Sequence, residues 1–382
     1  GVFIITQQSG KMSPLKLLLE VFMPFSTTQS LIDTLKSSHD FLTITREHEW
    51  QLGQSCQFNV VHKASGDEIA VKVIETGLIT FEPLSKSTQK DVVLSSGVHG
   101  NETAPIEICD KMISQLLAGE MALDVRLLFI FGNPASMNIA QRFVEENMNR
   151  LFSGGHSQDQ GNGPGLINKE RKRALLLENT VREFFEAGGK ADERERFHYD
   201  LHTAIRGSKN EKFAVYPFLH GAPRSKEQLQ FLKACGVSTV LLSNSPTTTF
   251  SYFSSNEFGA HAFTVELGMV KPFGQNDMSK FAAVEDTLCR FVSGQAIELG
   301  EFDETDHELF EIHQIINRTC EDFTLNFADD VENFTDFPVG AVIAQDGDKE
   351  IRTEKEGEAI IFPNAAVAIG QRALLTVIPT KL

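Results

Sequence analysis

The chain has few cysteines for its size. Its five cysteines are spread over 382 residues, and no two of them form a CxxC pair. They are too sparse for a disulfide framework, which is typical of a protein in a reducing compartment. We therefore expect each thiol to serve as a small, buried apolar side chain.

Basic residues are also scarce. Lysine and arginine total 35 against 52 aspartate and glutamate residues, and the formal net charge is −17. A surface this acidic argues against binding of nucleic acid or of anionic membranes. It is compatible with an anionic small molecule, provided that arginines cluster locally around the ligand.

Long apolar runs are missing as well. No run reaches the roughly 18 residues of a membrane span. The apolar stretch from Leu15 to Phe25 is interrupted by Lys16, Glu20 and Pro24, and no small-residue cleavage site follows it, so we expect no signal peptide. The 41% hydrophobic content is nevertheless ample for a large buried core.

The pattern of apolar residues predicts an α/β fold. Residues 40–80 alternate polar and apolar side chains, which predicts antiparallel strands, and short apolar runs then alternate with helical periods. The predicted strands are 91–95, 126–131, 199–202, 213–216, 237–242 and 261–267, and the predicted helices start at 103 or cover 135–147 and 170–188. This alternation favours a largely parallel, or mixed, sheet.

The composition changes near residue 300. An acidic segment at 301–311 leads into short apolar segments separated by turn residues, which predicts a second, mainly β domain. We expect three parts: an N-terminal extension and helix at 1–39, an α/β domain at 40–300, and a β domain at 301–382. The glycine-rich segment 153–165 lacks the phosphate-loop pattern and is interpreted as a flexible surface loop.

Ligands of open α/β sheets gather at the carboxyl ends of the strands, and the first such end carries His99 and Glu102. A zinc site in an enzyme commonly uses two histidines and one glutamate. The alternative is structural: Asn101 or Thr103 caps the following helix, and Glu102 complements its dipole.

Two further strand ends carry ionisable side chains. Asp200 and His202 share one face of a strand, so His202 could complete a metal site and Asp200 could orient a metal-bound histidine. Glu266 is a lone carboxylate in an apolar strand, where burial would raise its pKa and suit it to general acid–base work. The alternatives are a hydrogen-bonded core histidine and, on an edge strand, a glutamate that faces water.

Arginines between these strands could bind an anionic substrate. Arg142 follows Asn133-Pro134 on a predicted helix, and Asn149 and Arg150 lie in the segment NMNRLF. The planar guanidinium group binds both oxygens of a carboxylate at once. Taken singly, each arginine could equally be a solvated surface charge.

The motifs HGNET, NP followed by an arginine, NMNRLF, DLH and VELG occur in that order. From about residue 90 onward the chain resembles the zinc carboxypeptidase superfamily, in its branch of aspartoacylases and succinylglutamate desuccinylases. Segments 204–209, 241–246, 330–335 and 368–372 resemble the desuccinylases in particular.

The resemblance implies a three-layer α/β/α core with a mixed sheet, which is the catalytic domain, and a smaller C-terminal β domain that helps to enclose the active site. It implies one Zn²⁺ per subunit, held by His99, Glu102 and His202. It also implies that Glu266 is the general base and later the acid, and that Arg142 polarises the scissile carbonyl.

By the same resemblance, Asn149 and Arg150 hold the α-carboxylate of the amino-acid product. Arg206 and Lys209 are our additional candidates for the other substrate carboxylates, and Asp200 is the candidate that orients a metal ligand from behind. The sequence itself predicts no particular oligomeric state.

The activity that the resemblance implies is zinc-dependent hydrolysis of N-succinyl-L-glutamate to succinate and L-glutamate. In the family this is the last step of the succinyltransferase route of arginine breakdown, in the bacterial cytoplasm. Three alternatives stay open: an aspartoacylase-like enzyme for another N-acyl amino acid, a true carboxypeptidase, and a metal-free binding protein on the same fold.

Overall fold

A computed structural model of the protein describes residues 25–382. Residues 1–24, which include most of the proposed N-terminal extension and of the apolar stretch that ends at Phe25, lie outside the described residues. Between residues 25 and 382, no helix is long and apolar enough to cross a membrane. The cysteines in this part are all free thiols; Cys56, Cys109 and Cys235 are buried as expected, whereas Cys289 and Cys320 are partly exposed.

The described residues form eight α-helices and fifteen β-strands. The helices are α1 (Thr28–Ser38), α2 (Phe41–Glu47), α3 (Thr103–Leu117), α4 (Pro134–Asn138), α5 (Lys169–Gly188), α6 (Lys226–Ala234), α7 (Phe250–Phe258) and α8 (Ala282–Ser293). The strands are β1 (Cys56–Val61), β2 (Glu68–Glu75), β3 (Leu78–Pro83), β4 (Lys90–Ser96), β5 (Arg126–Phe131), β6 (Glu195–Ala204), β7 (Phe213–Tyr216), β8 (Thr239–Leu242), β9 (His261–Met269), β10 (Glu308–Asn317), β11 (Phe323–Leu325), β12 (Val342–Asp346), β13 (Lys349–Arg352), β14 (Ala359–Ile361) and β15 (Arg372–Pro379).

Twelve of these strands form one mixed sheet in the order β1-β2-β3-β5-β4-β6-β9-β7-β8-β10-β15-β14. At its centre, β4 pairs parallel with β5 and β6, and β6 pairs parallel with β9. At one edge, β1, β2 and β3 are antiparallel. The expected α/β fold with a mixed sheet is confirmed.

Helices cover both faces of the central strands. Along β4, Val92 and Leu94 pack into one apolar cluster with residues of α3, α6 and α8, whereas Val93 packs into another with residues of α5 and α7. Alternate side chains of a strand point to opposite faces, so a continuous apolar run is buried on both sides. The core therefore has the expected three α/β/α layers.

The chain beyond residue 300 is mainly β, as expected, but it does not form a separate sheet throughout. Strand β10 pairs parallel with β8, with Glu308 opposite Thr239, and β15 and β14 follow it in the large sheet. Among the strands of residues 25–382, only β11, β12 and β13 form a small sheet of their own. The backbone hydrogen bonds of the large sheet thus run from one part of the chain into the other.

Three local predictions are wrong. Helix α2 lies where strands were expected, and the Asp40 side chain caps it by accepting a hydrogen bond from the Thr43 amide at 2.9 Å. Helix α4 stops at Asn138 rather than 147, and Ala140 then adopts a left-handed φ of 51° that no helix continues. The segment from 153 is not all surface loop, because His156 in a 3₁₀ turn (Gly155–Ser157) is buried.

Candidate active site

The turn between β4 and α3 carries the first two candidate metal ligands. Gly97 has φ +66°, and a Cβ there would lie 2.2 Å from the Met137 side chain. A Cβ on Gly100 would lie 2.2 Å from the backbone of Ser136. Glycine is thus required at both positions for the turn to pack against α4, and this packing places His99 and Glu102 at the end of the sheet.

His99, Glu102 and His202 converge in three dimensions. The three side chains are buried, and one ligand atom from each lies within 4.8 Å of the others. The Glu102 carboxylate is central: Oε1 lies 2.8 Å from His99 Nδ1, and Oε2 lies 2.9 Å from His202 Nδ1. The structure thus brings together the ligand set that the sequence suggested.

The outer nitrogen of each imidazole is held by an oxygen. His99 Nε2 lies 2.8 Å from Asn147 Oδ1, and His202 Nε2 lies 2.7 Å from Asp200 Oδ2. Asp200 in turn accepts a hydrogen bond of 2.6 Å from the Ser95 hydroxyl. Because an oxygen fixes each Nε2, both rings present Nδ1 to the centre of the triad.

This donor set fits a divalent metal such as zinc. Two imidazoles and one carboxylate are the protein ligands of many catalytic zinc sites, which leave a further position open. The ligands are buried, and acceptors behind both imidazoles set their tautomers, as metal-binding histidines require. Burial opposes charge on Glu102, but His99 and His202 outweigh it and hold the pKa of Glu102 below its usual range.

Glu266 lies beside the triad on β9. The register of β6 and β9 pairs it directly with His202, so backbone hydrogen bonds fix their separation. The side chain is buried, and Oε2 has no hydrogen-bond partner among residues 25–382. Burial raises the pKa of Glu266 to about 7, with His202 opposing and Glu102 adding to the shift.

Arg142 reaches the triad from an irregular segment rather than from the predicted helix. Its guanidinium donates to Glu102 Oε1 at 3.0 Å. The Glu170 carboxylate shapes this segment by accepting hydrogen bonds from three successive amides, Val144, Glu145 and Glu146. A carboxylate that accepts several backbone N–H groups is a strong anchor, so Arg142 is held in place by α5.

Asn149 and Arg150 follow in a short 3₁₀ turn (Met148–Arg150). The Asn149 side chain is buried, and its Oδ1 accepts from the Phe250 amide at 3.0 Å. Arg150 donates only to the Asn149 carbonyl, at 3.2 Å, among residues 25–382. Burial, together with nearby Arg372 and Arg142, holds the pKa of Arg150 well below its usual range.

The two additional substrate candidates differ in position. Arg206 lines the cavity described below and donates to the Val331 carbonyl at 2.7 Å. Lys209 is exposed, does not line that cavity, and lies 3.7 Å from the Asp336 carboxylate. The structure therefore brings Arg206, but not Lys209, to the candidate site.

A cavity of about 770 Å³ opens above the triad. Both parts of the chain line it, including His99, Glu266 and Arg150 from one part and Ile312, Phe362 and Arg372 from the other. Its size matches that of pockets for small molecules. The part of the chain beyond residue 300 thus contributes to the cavity wall.

Sequence reasoning missed two residues here. Asn147 orients His99, and Arg372 lines the cavity beside Arg142 and Arg150. Asn147 is the first residue of the NMNRLF segment, and Arg372 ends the segment 368–372 that carried part of the resemblance. Their presence in those motifs was the available signal, but only the fold shows what they contact.

Comparison with known proteins identifies the family. Residues 88–292 match the model of the "Succinylglutamate desuccinylase/Aspartoacylase catalytic domain", and residues 305–380 match that of the "AstE/AspA barrel-sandwich hybrid domain". The first match contains every candidate metal ligand as well as Glu266.

Relatives of known name agree with this family assignment. The chain is 53% identical, over 93% of its length and 98% of the relative's, to a succinylglutamate desuccinylase of Pseudoalteromonas atlantica, and 55% identical, over 90% and 97%, to that of Idiomarina loihiensis. The crystal structure of the Chromobacterium violaceum succinylglutamate desuccinylase matches with a TM-score of 0.76 at 39% identity and covers 90% of this chain and 99% of that one. The chain therefore belongs to the succinylglutamate desuccinylase/aspartoacylase family.

Proposed function

We propose that the protein is a zinc-dependent amidohydrolase that cleaves N-succinyl-L-glutamate to succinate and L-glutamate. One observation carries the proposal: a buried glutamate, with one oxygen unpaired among residues 25–382, lies next to a His₂Glu triad at the base of a cavity rich in arginine. The names of the relatives, at about half identity over most of both chains, support the substrate.

His99, Glu102 and His202 would hold one zinc ion, through Nδ1 of each histidine and the carboxylate of the glutamate. Zinc supplies Lewis-acid chemistry, which makes water a stronger acid and polarises a carbonyl. Asp200 and Asn147 keep the two imidazoles in the tautomers that this ligation needs.

Glu266 would act first as the base and then as the acid. Its free oxygen accepts a proton from the attacking water as the carbon–oxygen bond forms at the scissile carbonyl. The same carboxyl group then delivers that proton to the leaving nitrogen as the amide bond breaks. A pKa raised by burial toward neutrality suits a group that must do both.

Arg142 would stabilise the negative charge that develops on the carbonyl oxygen, because its guanidinium is already anchored beside the triad by Glu102. Asn149 and Arg150 would hold the α-carboxylate of the glutamate product. Arg206 remains a candidate for another carboxylate, whereas the outward position of Lys209 gives its proposed role no support.

The proposal assigns catalysis to residues 40–300, enclosure of the site to residues 301–382, and an N-terminal extension and helix to residues 1–39. The cavity lining supports the first two assignments, because residues of both parts line the cavity.

We further propose that the reaction serves arginine breakdown in the bacterial cytoplasm. Loss of growth on arginine as nitrogen source after deletion of the gene would test this assignment.

The direct test is succinate release from N-succinyl-L-glutamate by the purified protein, before chelation, after chelation and after zinc is added back. We expect release that chelation abolishes and zinc restores. N-acetyl-L-aspartate and a blocked dipeptide serve as comparison substrates. Faster cleavage of either one, or chelator-resistant succinate release, would contradict the proposal.

A further inference from the structure

The start of strand β15 places one more arginine in the cavity. Arg372 pairs with Asn317 across β10 and β15, so the sheet fixes its backbone. Its side chain lines the cavity, and the guanidinium carbon lies 5.5 Å from the centre of the Phe362 ring. The guanidinium is therefore positioned by a rigid element and supported by an aromatic face.

This guanidinium has no partner among residues 25–382. It makes no hydrogen bond and no ion pair there, and its Nε is buried without an acceptor. Two other arginines of the cavity wall do have hydrogen-bond partners. Arg318 donates to the carbonyls of Val367 and Cys320, and Arg206 donates to the carbonyl of Val331. A buried donor without an acceptor is costly, which points to a ligand that supplies one.

The surroundings of Arg372 strengthen the case for an anion. Burial, with the charge of Arg142 added to it, lowers the pKa of Arg372 to about 10. The charges of Arg372 and Arg142 also lower the pKa of Arg150. Three guanidinium groups therefore share one end of the cavity. Of these three, only Arg142 has a carboxylate partner in residues 25–382. Like charges held together in a partly buried place favour binding of an anion.

We infer that Arg372 binds a substrate carboxylate remote from the scissile amide, and so helps to select substrates. The inference rests on the proposed function, because N-succinyl-L-glutamate carries two such carboxylates besides the α-carboxylate. One belongs to the acyl group and the other to the glutamate side chain. Asn149 and Arg150 are already proposed for the α-carboxylate, and a planar guanidinium binds either of the remaining two in the same way.

The test compares the unmodified protein with Arg372→Met on three compounds. These are N-succinyl-L-glutamate, N-butyryl-L-glutamate, which replaces the acyl carboxylate by a methyl group, and N-succinyl-L-glutamine, whose side-chain amide is neutral. We expect kcat/KM for N-succinyl-L-glutamate to fall about 10- to 100-fold, mainly through KM, because one charge-assisted carboxylate contact is lost.

The compound whose kcat/KM does not change in Arg372→Met identifies the carboxylate that Arg372 binds. An unchanged kcat/KM for the butyryl compound assigns Arg372 to the acyl group, and an unchanged value for the glutamine compound assigns it to the side chain. An equal loss on all three compounds would overturn the inference, since it would reveal a structural role or an α-carboxylate contact. Unchanged kinetics on N-succinyl-L-glutamate would overturn it as well.

Controls separate this inference from the proposed function. Arg372→Lys keeps the charge and should recover part of the affinity, and Arg290→Met, on the exposed side of α8, should behave as the unmodified protein. Kd values measured in the Glu266→Gln background provide the same comparison without turnover. If the unmodified protein neither binds nor cleaves N-succinyl-L-glutamate, the proposed function fails; if it does both and Arg372→Met changes neither, only the inference fails.

Discussion

At the scale of single residues, the candidate chemistry depends on a contrast between two buried glutamates. Glu102 is surrounded by His99, His202, Arg142 and the Thr203 amide, and each of its oxygens has at least two neighbours. Glu266 has one oxygen with no partner among the described residues and a pKa raised by burial to about 7. These opposite environments support the two proposed roles, in which Glu102 would bind a cation and Glu266 would move a proton.

Glu266→Gln tests this division. The substitution preserves the shape of the side chain but removes its ability to accept a proton, so we expect kcat to fall about 10²- to 10⁴-fold. Zinc content and the Kd for N-succinyl-L-glutamate should stay within about threefold of the original values. Metal analysis, calorimetry and a succinate assay check these outcomes.

Glu257→Gln is the matched control, because Glu257 is an exposed member of an ion pair with Arg182 and should leave all three quantities unchanged. Turnover by Glu266→Gln near that of the unmodified protein would remove Glu266 from its assigned role.

At the scale of elements, the register of the large sheet positions most of the side chains around the candidate metal site. Ser95 on β4 stands opposite Asp200 on β6, and His202 on β6 stands opposite Glu266 on β9. The hydrogen bond from Ser95 to Asp200 and the contact from Asp200 to His202 therefore cross neighbouring strands whose separation the backbone fixes. Ser95 and Asp200 thus fix the orientation of His202, the candidate metal ligand, relative to the rigid sheet.

Asp200→Asn tests this positioning. The amide keeps an oxygen for His202 but loses the negative charge, so we expect the Kd for zinc to rise about 10- to 100-fold. Competition with a chromophoric chelator measures the change. Asp286→Asn, in an exposed pair with Arg290, should leave the Kd unaltered. An unchanged Kd in Asp200→Asn would show that the ligand needs no charged support.

The sequence reveals these central strands more readily than it reveals the elements around them. Continuous apolar runs such as 127–131 can only be buried strands or helices, and their shortness favours strands. The segment Thr43-Ile44-Thr45 has β-branched side chains but forms α2, because Asp40 caps it and buried contacts of Phe41 and Ile44 override the local preference. The signal that was overlooked is the capping aspartate.

For the candidate site, too, the sequence reveals one part and leaves another part hidden. The histidine, glutamate and arginine types at strand ends suggest a zinc hydrolase, and the family resemblance assigns their roles. What the sequence does not disclose is contact between distant segments. Asn147 beside His99, and Arg372 beside Arg150, depend on pairing across 48 and more than 200 residues, for which local patterns carry no signal.

At the scale of the whole molecule, two family segments share one sheet. The matched regions 88–292 and 305–380 look separable along the chain, yet β8 and β10 pair between them and the cavity is lined by both. Without β10, the buried strand β8 would become an exposed sheet edge. The large sheet should therefore open as one cooperative unit.

Native-state hydrogen exchange with mass spectrometry, at increasing urea, measures this cooperativity. We expect the amides of β8 and β10 to report the same free energy of opening, close to that of global unfolding. The small sheet of β11, β12 and β13 is the internal comparison and should open at a lower free energy, since it pairs with no strand of the large sheet. Opening of β10 well before β8 would show instead that the two regions unfold independently.

The three guanidinium groups of the cavity have a consequence for handling the protein. Burial and the charges of neighbouring arginines lower the pKa of Arg150 and of Arg372, so their charged forms are less favourable in the folded protein than in water. An anion that enters the cavity relieves this penalty and stabilises the folded state by mass action. The melting temperature should then depend on the buffer: phosphate or sulfate would protect the fold while competing with substrate. Assays in chloride-poor, phosphate-free solution would report a lower KM on a less heat-resistant protein.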